Sequence, residues 1–503
     1  MTVTAPERRS PFRRALLATL LAIPLPSCGE ADGAATGRDG DPDDRIARVE
    51  QGLRLAVEAE GTDPLRMSME ERMERWNVPG VAVAVVEQGR VVWARGWGLA
   101  DLEAGTPVTS GTLFQAASIS KPVAALAAMQ LVQEGALDLD APVNEALTSW
   151  SLPDNEFTED SSATLRGLLS HSAGLTVWGF PGYARGEPVP SNAEVLEGEG
   201  NTDAVRVYKV PGTSWQYSGG GYTVMEQMME DVTGQPFDAL MATRVLAPAG
   251  MERSTYAQPL PDARWADAAR GHRANGDEVS GEWHTYPEQA AAGLWTTPEE
   301  LARLSVHLLG ILDGSVEDGV LDRATLEEML TPHGGGEERY RRHGLGFGLP
   351  DADGVRVFSH GGSNEGFKAM WITLRDSQQG VAVMTNGDQG SALAGEVVRA
   401  VADVYDWPAY RSRSRPRMAA DDALLTELAG EYEMEDQRGL VQLRALDNAL
   451  AVSVAGVPRG TLWAESADVW YDPEDGSEVR VERDASGRVT ALEASSGLRL
   501  TPR

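Results

Sequence analysis

Residues 81–86 are an unbroken run of Val and Ala, followed by Gln88-Gly89 and then by Val91, Val92 and Trp93. That pattern predicts a strand, a tight turn and a second strand, a hairpin. Before residue 411, comparable strand patterns return at 355–358, 369–373 and 380–385. The intervening sequence is mostly helical in pattern. Val123, Leu126, Ala127 and Leu131 share a face of a helix over 126–135 that ends at Gly135, and 222–234 ends in the same way at Gly234. Pro298 opens a helix carrying Leu301, Leu304 and Leu308, and a last helix is read at 396–405. This order points to one sheet made from both ends of the domain, with the helices as an insertion. Gly344-Leu345-Gly346-Phe347-Gly348 reads as a Gly-rich strand, since a dinucleotide loop needs fuller spacing and a following helix.

Both flanks differ from this body. Arg8, Arg9, Arg13 and Arg14 precede an apolar run over 15–25, and Pro26-Ser27-Cys28-Gly29 follows. These are the parts of an export signal, and the run is too short to span a membrane. Leu25, Ser27 and Cys28 resemble the lipobox of bacterial lipoproteins. Cys28 would then be lipidated, on a periplasmic or membrane-anchored protein; a cleaved signal with an incidental cysteine is the alternative. Cys28 is the only cysteine, which excludes an internal disulfide and zinc sites built on cysteine pairs. The sequence therefore divides into a signal (1–28), a flexible acidic tether (29–45), a main domain (46–410), a basic linker (411–417) and a β-module (418–503). Ordered structure is expected to begin with a helix over 44–60, continuing in pieces to Trp76. The module is read from short alternating runs at 441–446, 449–454, 479–483, 489–493 and 498–500. A net charge of −32 argues against a nucleic-acid partner, which needs a basic face. The histidines show no H-x-x-x-H spacing, so neither a metal nor another cofactor is implied.

Three short motifs could carry chemistry. Ser118-Ile119-Ser120-Lys121 sets a serine and a lysine one helical turn apart, so the amine can reach the hydroxyl. The serine also sits at a helix N-terminus, which favours developing negative charge. Lys121 is one of only three lysines among 44 basic residues, and Phe114, Ala116, Ala117, Ile119 and Val123 surround it. A lysine buried there needs a polar reason, although alone the motif reads more simply as a helix cap with a snorkelling lysine. Tyr217, with Ser218 and Gly219, lies in a Gly-rich loop before a helix; alone it reads as a core tyrosine beside a turn. His360-Gly361-Gly362-Ser363 follows the 355–358 strand and alone reads as a strand end of small residues.

In this order and at these spacings the three resemble the motifs S-x-x-K, Y-x-N or S-D-N, and K-T-G of the serine β-lactamase and penicillin-binding-protein superfamily. The closest resemblance is to the group of class C β-lactamases, D-alanyl-D-alanine carboxypeptidases and β-lactamase-like esterases. Residues 137–143, 168–175 and 292–297 look like landmarks of that group, so the resemblance covers about residues 46–405. The 418–503 module resembles the small lipocalin-like β-domain often appended to such hydrolases.

The resemblance implies an α/β (α+β) fold, an antiparallel sheet with a helical subdomain, and a C-terminal barrel. It implies a serine hydrolase in which Ser118 is acylated by a small ester, amide or peptide. Lys121 and Tyr217 would handle its proton as a coupled pair whose proximity depresses one pKa. Backbone N–H groups of Ser118 and Ser363 would form the oxyanion hole, with substrate lying along Gly361 and Gly362. Two positions depart from the pattern. Gly219 replaces an asparagine that contacts the substrate acyl side chain in relatives, and His360-Gly361 replaces Lys-Thr. Histidine occurs there in some family peptidases, but a mostly neutral imidazole and a lost hydroxyl weaken carboxylate recognition. Both changes favour an esterase or an unusual peptidase. A D-Ala-D-Ala carboxypeptidase or penicillin-interacting protein, and a catalytically silent binding protein, are the alternatives. His171 and His284 read as structural histidines. Trp178, Phe180, Tyr183 and Trp215 read as acyl-pocket or core residues alike. The β-module reads as a substrate lid, an oligomer contact or a stability cap, and the oligomeric state is not legible.

Overall fold

The computed structural model describes residues 41–333, 342–435 and 439–503, so the export signal, Cys28 and most of the expected tether lie outside the described residues. The chain opens with α1 (Pro42–Glu50), β1 (Val57–Ala59), α2 (Met69–Trp76), β2 (Gly80–Glu87), β3 (Arg90–Asp101), β4 (Thr106–Pro107) and β5 (Phe114–Gln115). The central part holds α3 (Ser120–Gln133), α4 (Leu165–Leu169), β6 (Tyr183–Ala184), α5 (Asn192–Glu197), α6 (Gly219–Thr233) and α7 (Phe237–Met241). Next come β7 (His284–Thr285), α8 (Gln289–Ala292), β8 (Trp295–Thr296), α9 (Pro298–Asp313) and α10 (Arg323–Met329). The sheet strands return as β9 (Val357–Asn364), β10 (Phe367–Leu374) and β11 (Gln379–Thr385), followed by α11 (Gly390–Val404), β12 (Arg413–Arg415) and α12 (Asp422–Leu428). The chain closes with β13 (Gly430–Met434), β14 (Leu440–Leu446), β15 (Ala449–Val454), β16 (Val457–Ala464), β17 (Val469–Tyr471), β18 (Glu478–Arg483), β19 (Val489–Ala494) and β20 (Arg499–Pro502).

Both ends of the main domain meet in one six-stranded sheet of order β4-β3-β2-β11-β10-β9. The join is antiparallel, with Val83 opposite Val383 and Val81 opposite Thr385. The Val/Ala run now has a cause. Ala82, Ala84 and Val86 enter the core with α3 and α9, while Val81, Val83 and Val85 enter the core with α2 and α11. Successive strand residues face opposite ways, so a strand covered on both faces has no polar positions. β9 is the outer strand on the far side and runs through the whole His360–Ser363 motif.

Three sequence expectations fail locally. The helix expected over 44–60 starts earlier and stops at Glu50; alternating burial at Val57 and Ala59 makes β1 instead. The 411–417 segment is not simply a linker, because Arg413–Arg415 pairs in parallel with β1. The 344–348 run is not a strand. It crosses α3 so closely that a Cβ on Gly346, whose φ is 92°, would lie 2.7 Å from Ala125 Cβ.

β13 to β20 close into an eight-stranded barrel. Its interior is filled by Tyr432, Leu443, Leu450, Trp470 and Leu492, with Leu425 and Leu428 of α12 against them. Its 472–476 turn meets α2 and α11. Glu474 lies 3.2 Å from Arg72, Arg399 donates to the Glu474 carbonyl, and Val57 N–H donates to Pro473 O. The barrel is thus joined to the α2–α11 side of the sheet, behind the α3 layer. Among the described residues no helix is long and apolar enough to cross a membrane.

Candidate active site

Ser118 stands in the short turn between β5 and α3. Ala117 before it has φ 50°, the left-handed region that few non-glycine residues occupy. The turn is held from several sides. Ser120 Oγ donates to Ala117 O at 2.6 Å and accepts from Leu294 N–H at 2.9 Å. Ala116 N–H donates to Leu294 O at 2.8 Å, and the Tyr256 hydroxyl donates to Ser120 O at 2.7 Å. On the first turn of α3 the Lys121 side chain points back, as helical geometry requires. Its Nζ lies 3.1 Å from Ser118 Oγ and donates to Ala291 O of α8 at 2.8 Å. Among the described residues no carboxylate pairs with the amine, and burial pulls its pKa down to about 7.

Tyr217 faces the same hydroxyl. The nearby Ser118 hydroxyl favours the ionised phenol, but burial is the larger effect and pushes its pKa up to about 12. Lys121 Nζ is 5.1 Å from the tyrosine ring centre. Ser218 caps α6, its Oγ accepting from Gly221 N–H at 3.0 Å. Ser218 N–H donates to His171 Nδ1 at 3.2 Å, which leaves the proton of a neutral His171 on Nε2. The His171 ring lies 4.3 Å from that of Tyr217. This structural histidine thus lies at the site and holds the tyrosine loop.

The outer edge of β9 forms the opposite wall. A Cβ on Gly362 would sit 2.2 Å from Ala116 O, so only glycine lets the strand come this close to the serine turn. Asn364 fastens the strand end, donating to Gln115 Oε1 at 2.8 Å. Gly361 is exposed and Ser363 is paired with Lys368 of β10. His360 Nδ1 donates to Gly361 O at 2.6 Å, and its ring is 6.3 Å from Tyr217. Burial and the nearby Lys121 charge lower its pKa, so the imidazole is neutral at pH 7.

The structure therefore gathers Ser118, Lys121, Tyr217, Ser218 and His360 with the Gly361–Ser363 edge. Gly219 lies buried under Phe180. His284 is held elsewhere, its Nδ1 2.8 Å from Pro181 O and 3.3 Å from Glu365. Trp215 packs on Tyr217 and His171, and Trp178 lies beside Tyr217 with most of its surface exposed. Tyr183 turns to Asn201 N–H. Lys209 reaches Gln216, and Lys368 pairs with Asp388 at 2.8 Å. Sequence reasoning missed His343, which is 4.8 Å from His171 and is lowered to about 3 by burial. Nothing in its spacing marks it; the fold brings it in through the loop misread as a strand. Among the described residues no cluster of three or more His, Cys, Asp or Glu side chains is placed to hold a metal.

A split antiparallel sheet with a serine–lysine turn, a tyrosine loop and a glycine-bearing edge strand around one cleft defines the β-lactamase and penicillin-binding-protein class. The chain belongs to that family: the family model described as Beta-lactamase matches residues 65–406. Esterase EstB of Burkholderia gladioli is 33% identical over 198 residues, which span 38% of this chain and 50% of the esterase. A D-aminopeptidase of Gluconobacter oxydans (strain 621H) is 24% identical over 425 residues, 83% of this chain and 76% of the peptidase. The structure of the octameric penicillin-binding protein homologue from Pyrococcus abyssi shares the fold, with a TM-score of 0.59 and 22% identity over 86% of this chain and 98% of that one.

Proposed function

We propose that the protein is an exported serine hydrolase that cleaves small esters or amides through an acyl-enzyme on Ser118. The observation that carries the reading is the placement of Lys121 Nζ 3.1 Å from Ser118 Oγ, on an amine whose pKa burial brings to about 7. A neutral amine can take the serine proton as the oxygen attacks the substrate carbonyl. Burial moves lysine down and tyrosine up, so Lys121 is the base, and Tyr217 stays a neutral phenol that relays a proton to the leaving oxygen or nitrogen. This differs from the mutual lysine–tyrosinate depression expected from the sequence. The tetrahedral oxyanion would lie against the N–H groups of Ser118 and Ser363, and water would then release the acid by the reverse proton path.

Ser118→Ala is expected to abolish both ester turnover and covalent labelling by a serine-directed fluorophosphonate. Labelling that persists in the variant would falsify the assignment. A second reading, a D-aminoacyl peptidase or penicillin-interacting protein, is favoured by the likeness to the D-aminopeptidase and by His360 in place of lysine. A fluorescent penicillin adduct at Ser118 together with release of D-alanine from a D-Ala-D-Ala peptide would select it over the esterase. Export and anchoring rest on the N-terminal sequence. Incorporation of a clickable palmitate analogue, lost in Cys28→Ser, is the expected sign of a lipid anchor.

A further inference from the structure

We propose, on the serine-hydrolase reading above, that Trp178 and Phe180 form the acyl-side wall of the site and select uncharged substrates whose acyl group carries an aromatic ring or a bulky apolar chain. The starting point is Gly219. A Cβ there would lie 2.9 Å from Phe180 Cε2 and 3.2 Å from Trp178 O. The Phe180 ring thus occupies the space that a side chain at 219 would need. No carboxamide can project from this position toward an acyl substituent, and an aromatic ring stands there instead.

The wall is fixed in place. Ser218 Oγ donates to Thr176 O at 2.8 Å. Gly219 N–H donates to Trp178 O and Gly220 N–H to Val177 O, each at 3.0 Å. The first N–H groups of α6 are therefore taken by the carbonyls of Val177 and Trp178 and by Ser218 Oγ, not left open for an anion. Val177 is held at φ 60°, a costly conformation for a β-branched residue and one that clusters at ligand sites. Trp178 then turns outward, 69% exposed, with its ring 5.8 Å from that of Tyr217. An indole held in water on a fastened loop beside the proton-carrying tyrosine is apolar surface that a bound acyl group can cover.

The charges around the cleft agree. Lys121 sits near neutrality, and burial keeps His171, His343 and His360 uncharged at pH 7. Lys209 is 3.2 Å from Gln216 Oε1 and lies over the Tyr208 ring. Among the described residues of this cluster no permanent cation faces the serine, so none of them would pair with a carboxylate on the substrate.

The test holds the leaving group constant and compares kcat/KM for 4-nitrophenyl phenylacetate, acetate and hemisuccinate. The wild-type enzyme is expected to prefer phenylacetate and to reject hemisuccinate. Trp178→Ala should lower the phenylacetate-to-acetate ratio by about 10-fold or more, the scale of a lost apolar contact. Trp178→Phe should restore most of it, and Leu446→Ala, exposed on the barrel, should leave it unchanged. Should Trp178→Ala fail to fold, Phe180→Leu and Phe180→Gln read the same wall: the ratio holds in the first and falls in the second. A wild-type enzyme that is labelled at Ser118 yet shows no aryl preference, or that prefers the hemisuccinate, overturns the proposal. Absence of labelling in the wild-type protein sinks the hydrolase reading instead.

Discussion

Lys121 shows how far a single buried group can decide chemistry. The residue is 2% exposed, and removal of its amine from water alone brings the pKa to about 7. On the proposed mechanism the catalytic form is the unprotonated one, so kcat/KM for a neutral ester should rise with pH and reach half its plateau near 7. A flat profile between pH 5 and 9 would place the base elsewhere. Lys121→Arg keeps a permanent charge and should cost at least about 100-fold in kcat/KM, the low end of general-base effects. Lys121 was legible because its partner lies one turn away in sequence. His343 was not, because only the tertiary fold carries it to His171. Glu288 is a second buried titratable group, with burial raising its pKa to about 8 and neither carboxyl oxygen hydrogen-bonded. The folded state holds this proton more tightly than the unfolded chain does. Stability from Glu288 is therefore complete below about pH 4.5 and is lost as pH rises through about 8. Glu288→Gln should raise Tm at pH 9 and leave it nearly unchanged at pH 4.5; an equal change at both pH values would show that the carboxyl stays ionised in the fold.

At the scale of elements, the site depends on how closely β9 approaches the turn before α3. Gly362→Ala would place a methyl 2.2 Å from a backbone carbonyl, which cannot rotate away as a side chain can. The strand must move, at about 1–3 kcal/mol for overpacking of this kind. Fluorophosphonate labelling should slow by at least about 10-fold if the oxyanion donors move with it, while far-UV circular dichroism stays that of the wild type. The main elements were legible where pattern and neighbours agree. β2, β10, β11, α6 and α9 fall where their residues indicate, within a few positions. β1 and β12 were hidden, since a three-residue parallel pair leaves almost no period to read. β9 was cut short because His360, Gly361 and Gly362 look like a strand ending, although glycine is what allows the edge to continue past Ala116.

For the whole molecule, the informative contact is between barrel and sheet domain. Arg72 pairs with Glu396 at 2.5 Å and with Glu474 of the barrel at 3.2 Å, and Trp76 Nε1 donates to the same Glu396. Glu396→Ala leaves Arg72 buried with only the more distant Glu474, whose side chain is 18% exposed, and should destabilise by about 3–5 kcal/mol, as broken buried pairs do. Because the barrel meets the α2–α11 side, it suits a brace better than a lid. Deleting 418–503 should lower soluble yield and Tm, while the surviving soluble enzyme still labels at Ser118; loss of labelling in a folded truncation would restore the lid.

The split sheet also sets a timetable. β2 is made early, yet its partner β11 is among the last strands of the main domain to be synthesised. Until then an apolar strand has one edge without its final neighbour, a surface prone to mispairing with other chains. A protein built this way cannot mature piece by piece from its N-terminus. It must be kept from mispairing until the end of the domain arrives and the last strands close the sheet.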